Sequence, residues 1–199
     1  MRYWIILLMT LLVIISLPVY AQRSAVKQES ERKIGRDEFP AAALSQLDQL
    51  KGQARAMKYY REISNGITTF EAKFNWLDSR WSLEFDSTGR FIDLEKDIPL
   101  RKFKAVMNDL MHKEMSNLGF PYRILKAQQQ YSWAIEDGRP FDPAMVEPGR
   151  KGVRIRLEVE IEVKSPALGL VAYELLMEEN GHLLQKRMII PPSNNHLLY

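Results

Sequence analysis

Residues 153–164 carry the pattern that most constrains the fold, because apolar and charged side chains alternate there without exception. The apolar residues all fall on odd numbers and the charged residues on even numbers. Successive side chains of a β-strand point to opposite faces of the sheet, so this run predicts a strand with one buried and one polar face. A chain with such a strand has to pack other apolar side chains against one face of an antiparallel sheet.

Shorter strand-like runs surround this segment. They predict strands over residues 56–63, 68–77, 81–85, 91–94, 122–133, 170–177 and 182–189. The sequences Ser-Asn-Gly at 64–66, Asp-Ser-Thr-Gly at 86–89 and Glu-Glu-Asn-Gly at 178–181 separate neighbouring runs and are typical of tight turns. Most of the chain is therefore expected to form antiparallel hairpins.

Two segments have a helical period instead. The first begins at Asp37-Glu38-Phe39-Pro40 and ends before Gly52, with apolar residues three or four positions apart. The second follows Asp97-Ile98-Pro99, and its apolar residues from Phe103 to Met115 predict one amphipathic helix. Each helix is followed by a meander of strands.

This order predicts an α+β fold made of two tandem helix-plus-antiparallel-meander units after a cleaved signal peptide. The predicted boundaries are a signal peptide over 1–21, a flexible linker over 22–36, a first unit over 37–97, a second unit over 98–192 and a tail over 193–199. The hairpin around Gly89 aligns with the hairpin around Gly181 at an offset of 92 residues, which supports two copies of one unit. The second copy carries extra residues, mainly in the Pro- and Gly-containing loop 134–152.

The N-terminus predicts export. Residues 4–17 are almost wholly apolar, and Val19 and Ala21 occupy the positions that a signal peptidase reads, so cleavage is expected after Ala21. An uncleaved anchor is the alternative, although a membrane span needs about 20 apolar residues. The mature protein is expected to be periplasmic or secreted, without a stable membrane span. Its small net charge, +3 for the whole chain, argues against a nucleic-acid partner.

The hairpin at residues 81–92, with Phe85-Asp86 two residues before Gly89, resembles the PepSY-like modules of secreted bacterial proteins. That group is similar in fold to the β-lactamase-inhibitor protein, which is also a tandem of helix-plus-meander units. The resemblance covers about residues 37–191 as two copies, and the second copy lacks the Phe-Asp pair. It implies a non-catalytic exported module that binds or inhibits other proteins, and it identifies no binding residue here.

The residues that usually carry chemistry are scarce. The absence of Cys removes thiol nucleophiles and Cys-based metal sites, and the three His residues lie in separate elements without the spacing of metal ligands. The sequence therefore predicts no catalytic residue, no metal site, no cofactor and no enzymatic activity. The expected function is a protein-binding or inhibitor-like module of the cell envelope that contacts an envelope or extracellular protein.

Candidate partner-binding residues are four aromatic residues and the two arginines of the alternating strand. They are Trp76, Trp81, Tyr131, Trp133, Arg154 and Arg156. The aromatic residues fit either a core that covers the sheets or anchors exposed to a partner. The arginines fit either a solvated sheet face or a binding surface. The alternative function is an envelope hydrolase, or a carrier of a small ligand or lipid, in a cleft between the units. A cleft lined by two carboxylates, or an apolar cavity above about 300 Å³, would favour that alternative.

Overall fold

The computed structural model of the protein describes residues 26–119, 121–133, 138–165 and 167–190. Its strands are β1 (Val26–Ile34), β2 (Arg55–Ser64), β3 (Ile67–Trp76), β4 (Ser79–Asp86), β5 (Phe91–Asp97), β6 (Tyr122–Trp133), β7 (Val153–Ser165), β8 (Gly169–Glu178) and β9 (Leu183–Ile190). The helices are α1 (Ala41–Leu47), α2 (Leu100–Val106) and α3 (Asp109–Ser116). The predicted signal peptide and tail lie outside the described residues, as does Asp137 of the loop.

The nine strands form one closed barrel in which every strand pairs with its neighbour in sequence. These successive pairings are antiparallel. The ring closes where β1 runs parallel to β9, with Val26 opposite Met188 and Gln28 opposite Ile190. The first and last strands of the described chain are therefore neighbours.

The predicted α+β fold of two tandem helix-plus-meander units is wrong. The strands of the two expected meanders belong to a single barrel, joined where Leu94 to Asp97 of β5 pair with Tyr131 to Gln128 of β6. The described helices are also short, at seven or eight residues each. The alternation of side chains gives the two faces of each strand but not the number of sheets, which depends on how edges meet.

Residues 26–34 correct a second expectation, because they form β1 rather than part of a flexible linker. Five of the nine residues in this strand are charged, so the segment shows no apolar period. Pairing with β2, from Glu29 opposite Ser64 to Ile34 opposite Tyr59, supplies the order instead. A polar strand becomes stable when both of its edges are hydrogen-bonded.

Two apolar clusters lie between the barrel wall and the helices. The first contains Ala43 and Leu47 of α1, together with Phe74, Leu83 and other residues of the first five strands. The second contains Phe103 of α2 and Met111 and Met115 of α3, packed on β6 to β8. Because the helices cover the outside of the wall, the apolar face of each strand points outward and the polar face points into the barrel.

A division of the chain into units at 97/98 stays a prediction.

The second helical segment consists of two helices rather than the single helix that its period predicts. Met107 leaves the helical conformation with ψ of 131°, and α2 ends there. The side chain of Asn108 then accepts a hydrogen bond from the backbone N–H of Met111 at 2.9 Å and caps α3. An Asn N-cap favours a new helix start over continuation of the old one.

The turn between β4 and β5 lies against the start of α1. Gly89 has φ of +82°, and a Cβ atom there would lie 2.8 Å from the backbone nitrogen of Ala43 and 2.9 Å from Cβ of Ala42. Gly181, in the turn between β8 and β9, lies equally close to Asn108 and Met111 of the α3 start. Each of the two aligned hairpin glycines thus lets a turn approach a helix.

We expect Gly89→Ala to lower the free energy of unfolding by about 3 kcal/mol, because it adds both a left-handed alanine and a collision with the helix backbone. Gly66→Ala is the matched control, since Gly66 has φ of +80° but nothing within 4 Å of the added methyl group. The control should cost about 1 kcal/mol. Urea denaturation measures both values, and equal losses would show that the close approach to α1 is unimportant.

Candidate binding site in the barrel lumen

The interior of the barrel holds a cavity of about 910 Å³ whose lining includes ten carboxylate side chains and eight lysine or arginine side chains. All nine strands contribute to it, which identifies it as the lumen. One lining residue from each strand, in chain order, is Lys27, Glu62, Glu71, Glu84, Glu95, Lys126, Glu158, Leu176 and Arg187. The cavity reaches the surface near Gly138, Arg139 and Arg154, which are exposed.

The alternation along each strand explains this composition. On β7, Val159, Ile161 and Val163 are buried in the second apolar cluster, while Glu158 and Glu160 line the lumen. The polar face of the alternating strand is therefore the inner wall of the barrel. Odd and even positions on a strand face opposite sides, so the charges of every strand converge once the sheet closes.

Several of these polar side chains are deeply buried. Glu174 is 2% exposed, Asp93 is 6% exposed, and Glu62 and Glu158 are each 8% exposed. Burial of an unpaired charge costs several kcal/mol, so each such group has to find an opposite charge or bind a proton. The lumen shows both solutions.

Lys27 and Arg187 neutralise Glu174. The Nζ atom of Lys27 lies 2.5 Å from Oε2 of Glu174 and 2.8 Å from Oε2 of Glu29. The guanidinium of Arg187 donates to the other oxygen of Glu174. Burial opposes the charge on Lys27, but the carboxylates of Glu174, Glu158 and Glu29 outweigh it and raise the pKa of Lys27. This cluster also ties β1 to β8 and β9.

Lys73 occupies a second cluster. Carboxylate oxygens of Glu31, Glu62 and Glu71 lie within 4.8 Å of one another, close enough to coordinate one metal ion. The ammonium of Lys73 is paired there with Glu31 and lies 3.0 Å from Oε2 of Glu71. Burial and hydrogen bonds with Glu71 and Glu29 raise the pKa of Glu62, so Glu62 binds a proton instead of a cation. The carboxylates of this cluster suit a cation, and the ammonium group of Lys73 lies among them.

Glu84, Asp93, Glu95 and Glu158 form a third group, named here the central carboxylates. Burial raises the pKa of Glu84 and of Glu95 to about 7. Burial also raises the pKa of Asp93 and of Glu158; Glu84, Glu95 and Glu158 add to the shift of Asp93, and Glu95 and Glu174 add to that of Glu158. Lys126 is the basic residue that acts on this group from β6, and Glu95 and Glu158 raise its pKa against the effect of burial. The group thus has more acids than nearby cations.

Asp93 has an unsatisfied oxygen inside this group. Its Oδ2 accepts a hydrogen bond from Nε2 of Gln130 at 2.9 Å. Its Oδ1 is buried and has no hydrogen-bond partner. Asp93 lies opposite Glu84 in the β4–β5 pairing, so two carboxyl groups face each other there. A buried acceptor without a donor is unfavourable by about 1–3 kcal/mol, which a bound donor would recover.

The four aromatic candidates are not exposed. Trp76, Trp81, Tyr131 and Trp133 are each between 4% and 7% exposed and belong to the first apolar cluster. Trp81 donates from Nε1 to the backbone oxygen of Trp76 at 2.6 Å. All four aromatic side chains therefore belong to the core and offer no broad aromatic surface to a partner. Of the four, Trp133 is the one that also borders the lumen. The guanidinium carbon of Arg139 lies 5.2 Å from the centroid of its indole ring.

The two arginine candidates both line the lumen. Arg154 is exposed near the opening, opposite Ser132, and Arg156 is partly buried one step deeper, opposite Gln130. The structure thus brings Arg154 and Arg156 together with the central carboxylates. Sequence reasoning missed the acidic residues of β3 to β5, although Glu71, Glu84, Asp93 and Glu95 all occupy the polar positions of their strands.

Among the described residues, no helix is long and apolar enough to span a membrane.

Comparison with protein-family profiles and with curated proteins gives no match. Among solved structures, the chain is similar to a BLIP-like protein from Bacteroides fragilis NCTC 9343, with a TM-score of 0.45 and 14% sequence identity. The match covers 79% of this chain and 92% of that chain. A similarity of this extent identifies no activity, and membership of the PepSY-like group stays a prediction.

We expect the protein to be more stable at pH 5.5 than at pH 8.5. Glu84 and Glu95 have a pKa of about 7 in the folded chain against an ordinary value of 4.5, so the folded state holds protons that the unfolded state releases. Stability from these groups is present below about pH 4.5 and is lost as the pH rises through 7. Thermal unfolding should show the melting temperature falling by roughly 10 °C over this range, because the two groups together lose about 4 kcal/mol.

The variant Glu84→Gln/Glu95→Gln carries neutral side chains at both positions, so its melting temperature should fall less than that of the wild type between the two pH values. The raised pKa values of Glu62, Asp93 and Glu158 account for the fall that remains. A wild-type melting temperature that rises between pH 5.5 and pH 8.5 would contradict the assignment of protons to the lumen.

Proposed function

We propose that the protein is a non-catalytic, exported binding protein of the cell envelope whose binding site is the lumen of the barrel. The occupant is a charged segment of a partner protein. The observation that carries the proposal is the cavity of about 910 Å³ lined by charged side chains from every strand. Its volume lies within the range typical of ligand sites, about 300–1,000 Å³.

The polarity of the lining favours a charged occupant over a lipid. A lipid carrier needs an apolar cavity, whereas this lining holds ten carboxylates and eight basic side chains. Buried charges cost stability relative to apolar residues of the same size, so a binding role is a physical reason for keeping them. The lumen replaces the exposed sheet face as the proposed contact surface, and Arg154 lies where a partner segment would enter.

A hydrolase is the second candidate, because the lumen holds carboxyl groups of the kind that act as general acid and base. Glu84 and Glu95 lie on neighbouring strands of one cavity, and each has a pKa of about 7. Carboxyl groups with such values can exchange protons near neutral pH. The same values also follow from crowding of buried acids alone, so the binding proposal remains the one that needs fewer assumptions.

Ser132→Trp tests the lumen as the site of partner binding. Ser132 lines the cavity opposite Arg154, and an indole there would fill the entrance. The matched control is Ser116→Trp, since Ser116 is exposed at the end of α3. With residues 22–199 as bait for an envelope extract, the wild type and Ser116→Trp should retain the same protein, and Ser132→Trp should lose at least nine-tenths of it.

Equal capture by all three baits would place the contact outside the lumen. Turnover of a hydrolase substrate panel by the wild type, abolished in Glu84→Gln, would instead identify the second candidate. Circular dichroism of each variant establishes that it is folded before either result is interpreted.

Export has its own test. Expression of the whole chain in a bacterial host should yield a periplasmic protein whose mass corresponds to a start at Gln22, because Val19 and Ala21 satisfy the signal peptidase. Ala21→Leu is the matched variant and should block processing. If the wild-type product keeps Met1 and is found in the membrane fraction, the N-terminal segment is an uncleaved anchor.

A further inference from the structure

The lumen binds ammonium groups of its own chain at three places. Lys27 lies between Glu29 and Glu174, Lys73 lies between Glu31 and Glu71, and Lys126 is 4.0 Å from Glu160. Each lysine enters from a different strand, and each is held by at least one carboxylate. The inner wall is therefore built to pair acids with organic cations.

The central carboxylates are the place where this pairing is incomplete. Glu84, Asp93, Glu95 and Glu158 outnumber the two lysines, Lys27 and Lys126, that act on Glu95 and Glu158, and Lys27 is already paired with Glu29 and Glu174. Among residues the structure describes, no ion pair joins Lys126 to Asp93 or Glu84. The group keeps protons in place of cations, which is the response of carboxyl groups that cannot all ionise together.

Asp93 provides an independent sign that a donor belongs there. Its carboxyl group is 6% exposed, it lines the cavity, and its Oδ1 has no hydrogen-bond partner. Buried polar atoms are nearly always satisfied in folded proteins, and an unsatisfied one inside an accessible cavity marks a position for a ligand donor.

We infer that the central carboxylates bind an organic cation, the ammonium or guanidinium group of a basic side chain on the partner or of a free amine. The inference rests on the proposed function of the lumen and names the chemistry that the lumen recognises. The cation donates to Oδ1 of Asp93 and replaces the protons that Glu84, Glu95 and Glu158 otherwise hold.

An organic cation fits the cavity better than a bare metal ion. Ca²⁺ or Mg²⁺ needs six or more oxygens at about 2–2.6 Å, whereas the cavity of about 910 Å³ leaves room for an alkyl chain behind the charge. Arg139 and Arg154 are exposed at the opening of the cavity. A basic side chain carried on a peptide presents its backbone carbonyls to those arginines while its charge reaches the acids.

Binding should depend on pH because the ligand competes with protons. The charged groups that act on Asp93 are Glu71 of β3, Glu84 of β4, Glu95 of β5 and Glu158 of β7. The basic groups that line the same cavity beside these acids are Lys27 of β1, Lys126 of β6 and Arg156 of β7. The acids of this set lose their protons when the cation enters, so association releases protons to the buffer. Affinity should fall at least tenfold from pH 8 to pH 5.5.

The experiment is titration calorimetry of residues 22–199 with 1,4-diaminobutane and with a capped five-residue peptide that has one central lysine. Both probes should bind at pH 8, and the measured heat should change with the ionisation heat of the buffer. Butane-1,4-diol and a peptide with norleucine at the centre are the uncharged controls and should give no heat. Stronger binding of the peptide identifies a partner protein as the source of the cation, and stronger binding of the amine identifies a small molecule.

Asp93→Asn and Glu158→Gln should each weaken binding at least tenfold while leaving the melting temperature of the free protein equal or higher. Glu162→Gln is the matched control, because Glu162 lies on the same strand, pairs with Arg123 and does not belong to the cavity lining. It should bind as the wild type does. Calcium or magnesium binding at the central carboxylates, or no binding of either amine probe, would overturn the inference.

The two proposals fail separately. Partner capture that depends on Ser132, without any binding of amine probes, would leave the lumen as the site and remove the cation chemistry. If amines bind but Ser132→Trp leaves partner capture unchanged, the cation chemistry stands and the lumen is not the site of partner capture.

Discussion

The charges inside the barrel have to neutralise one another, and the rest of the structure depends on that requirement. The apolar faces of the strands are turned outward under α1, α2 and α3, which leaves the polar faces to form the interior. Lysines and arginines from several strands compensate some of the acids there, and bound protons compensate others. A barrel of this kind gains its stability from the outer apolar clusters, while the inner wall carries the buried charges.

The separation of each strand into an apolar outer face and a polar inner face explains which parts of the fold could be predicted from the sequence. Strand positions from β2 to β9 follow from alternation and turn residues, and these depend only on local backbone geometry. The prediction failed at β1, because the segment Val26–Ile34 has no apolar period and owes its order to partners far away in the chain. It also failed at the segment around Asn108, where one capping side chain divides a continuous apolar stripe into two helices.

Two residues of the cavity lining could be singled out from the sequence for the same reason, and their role in partner binding stays a prediction. Arg154 and Arg156 stood out because their strand alternates perfectly, and both line the lumen. Glu84, Asp93 and Glu95 did not stand out, because single acids on short strands look like ordinary solvent-facing positions. The pairing of β5 with β6 and of β6 with β7 brings them into one cavity with Glu158, and pairing between strands that far apart in the chain is not encoded by any local pattern.

The pairing of β1 with β9 sets the order in which the chain can reach its final form. Residues 26–28 meet residues 188–190, so nearly the whole described chain has to be synthesised before the ring can be completed. Contacts between such distant segments form late because they carry the largest loop-closure entropy. Until then the sheet has two unpaired edges, and the acids and bases of its inner face are open to water.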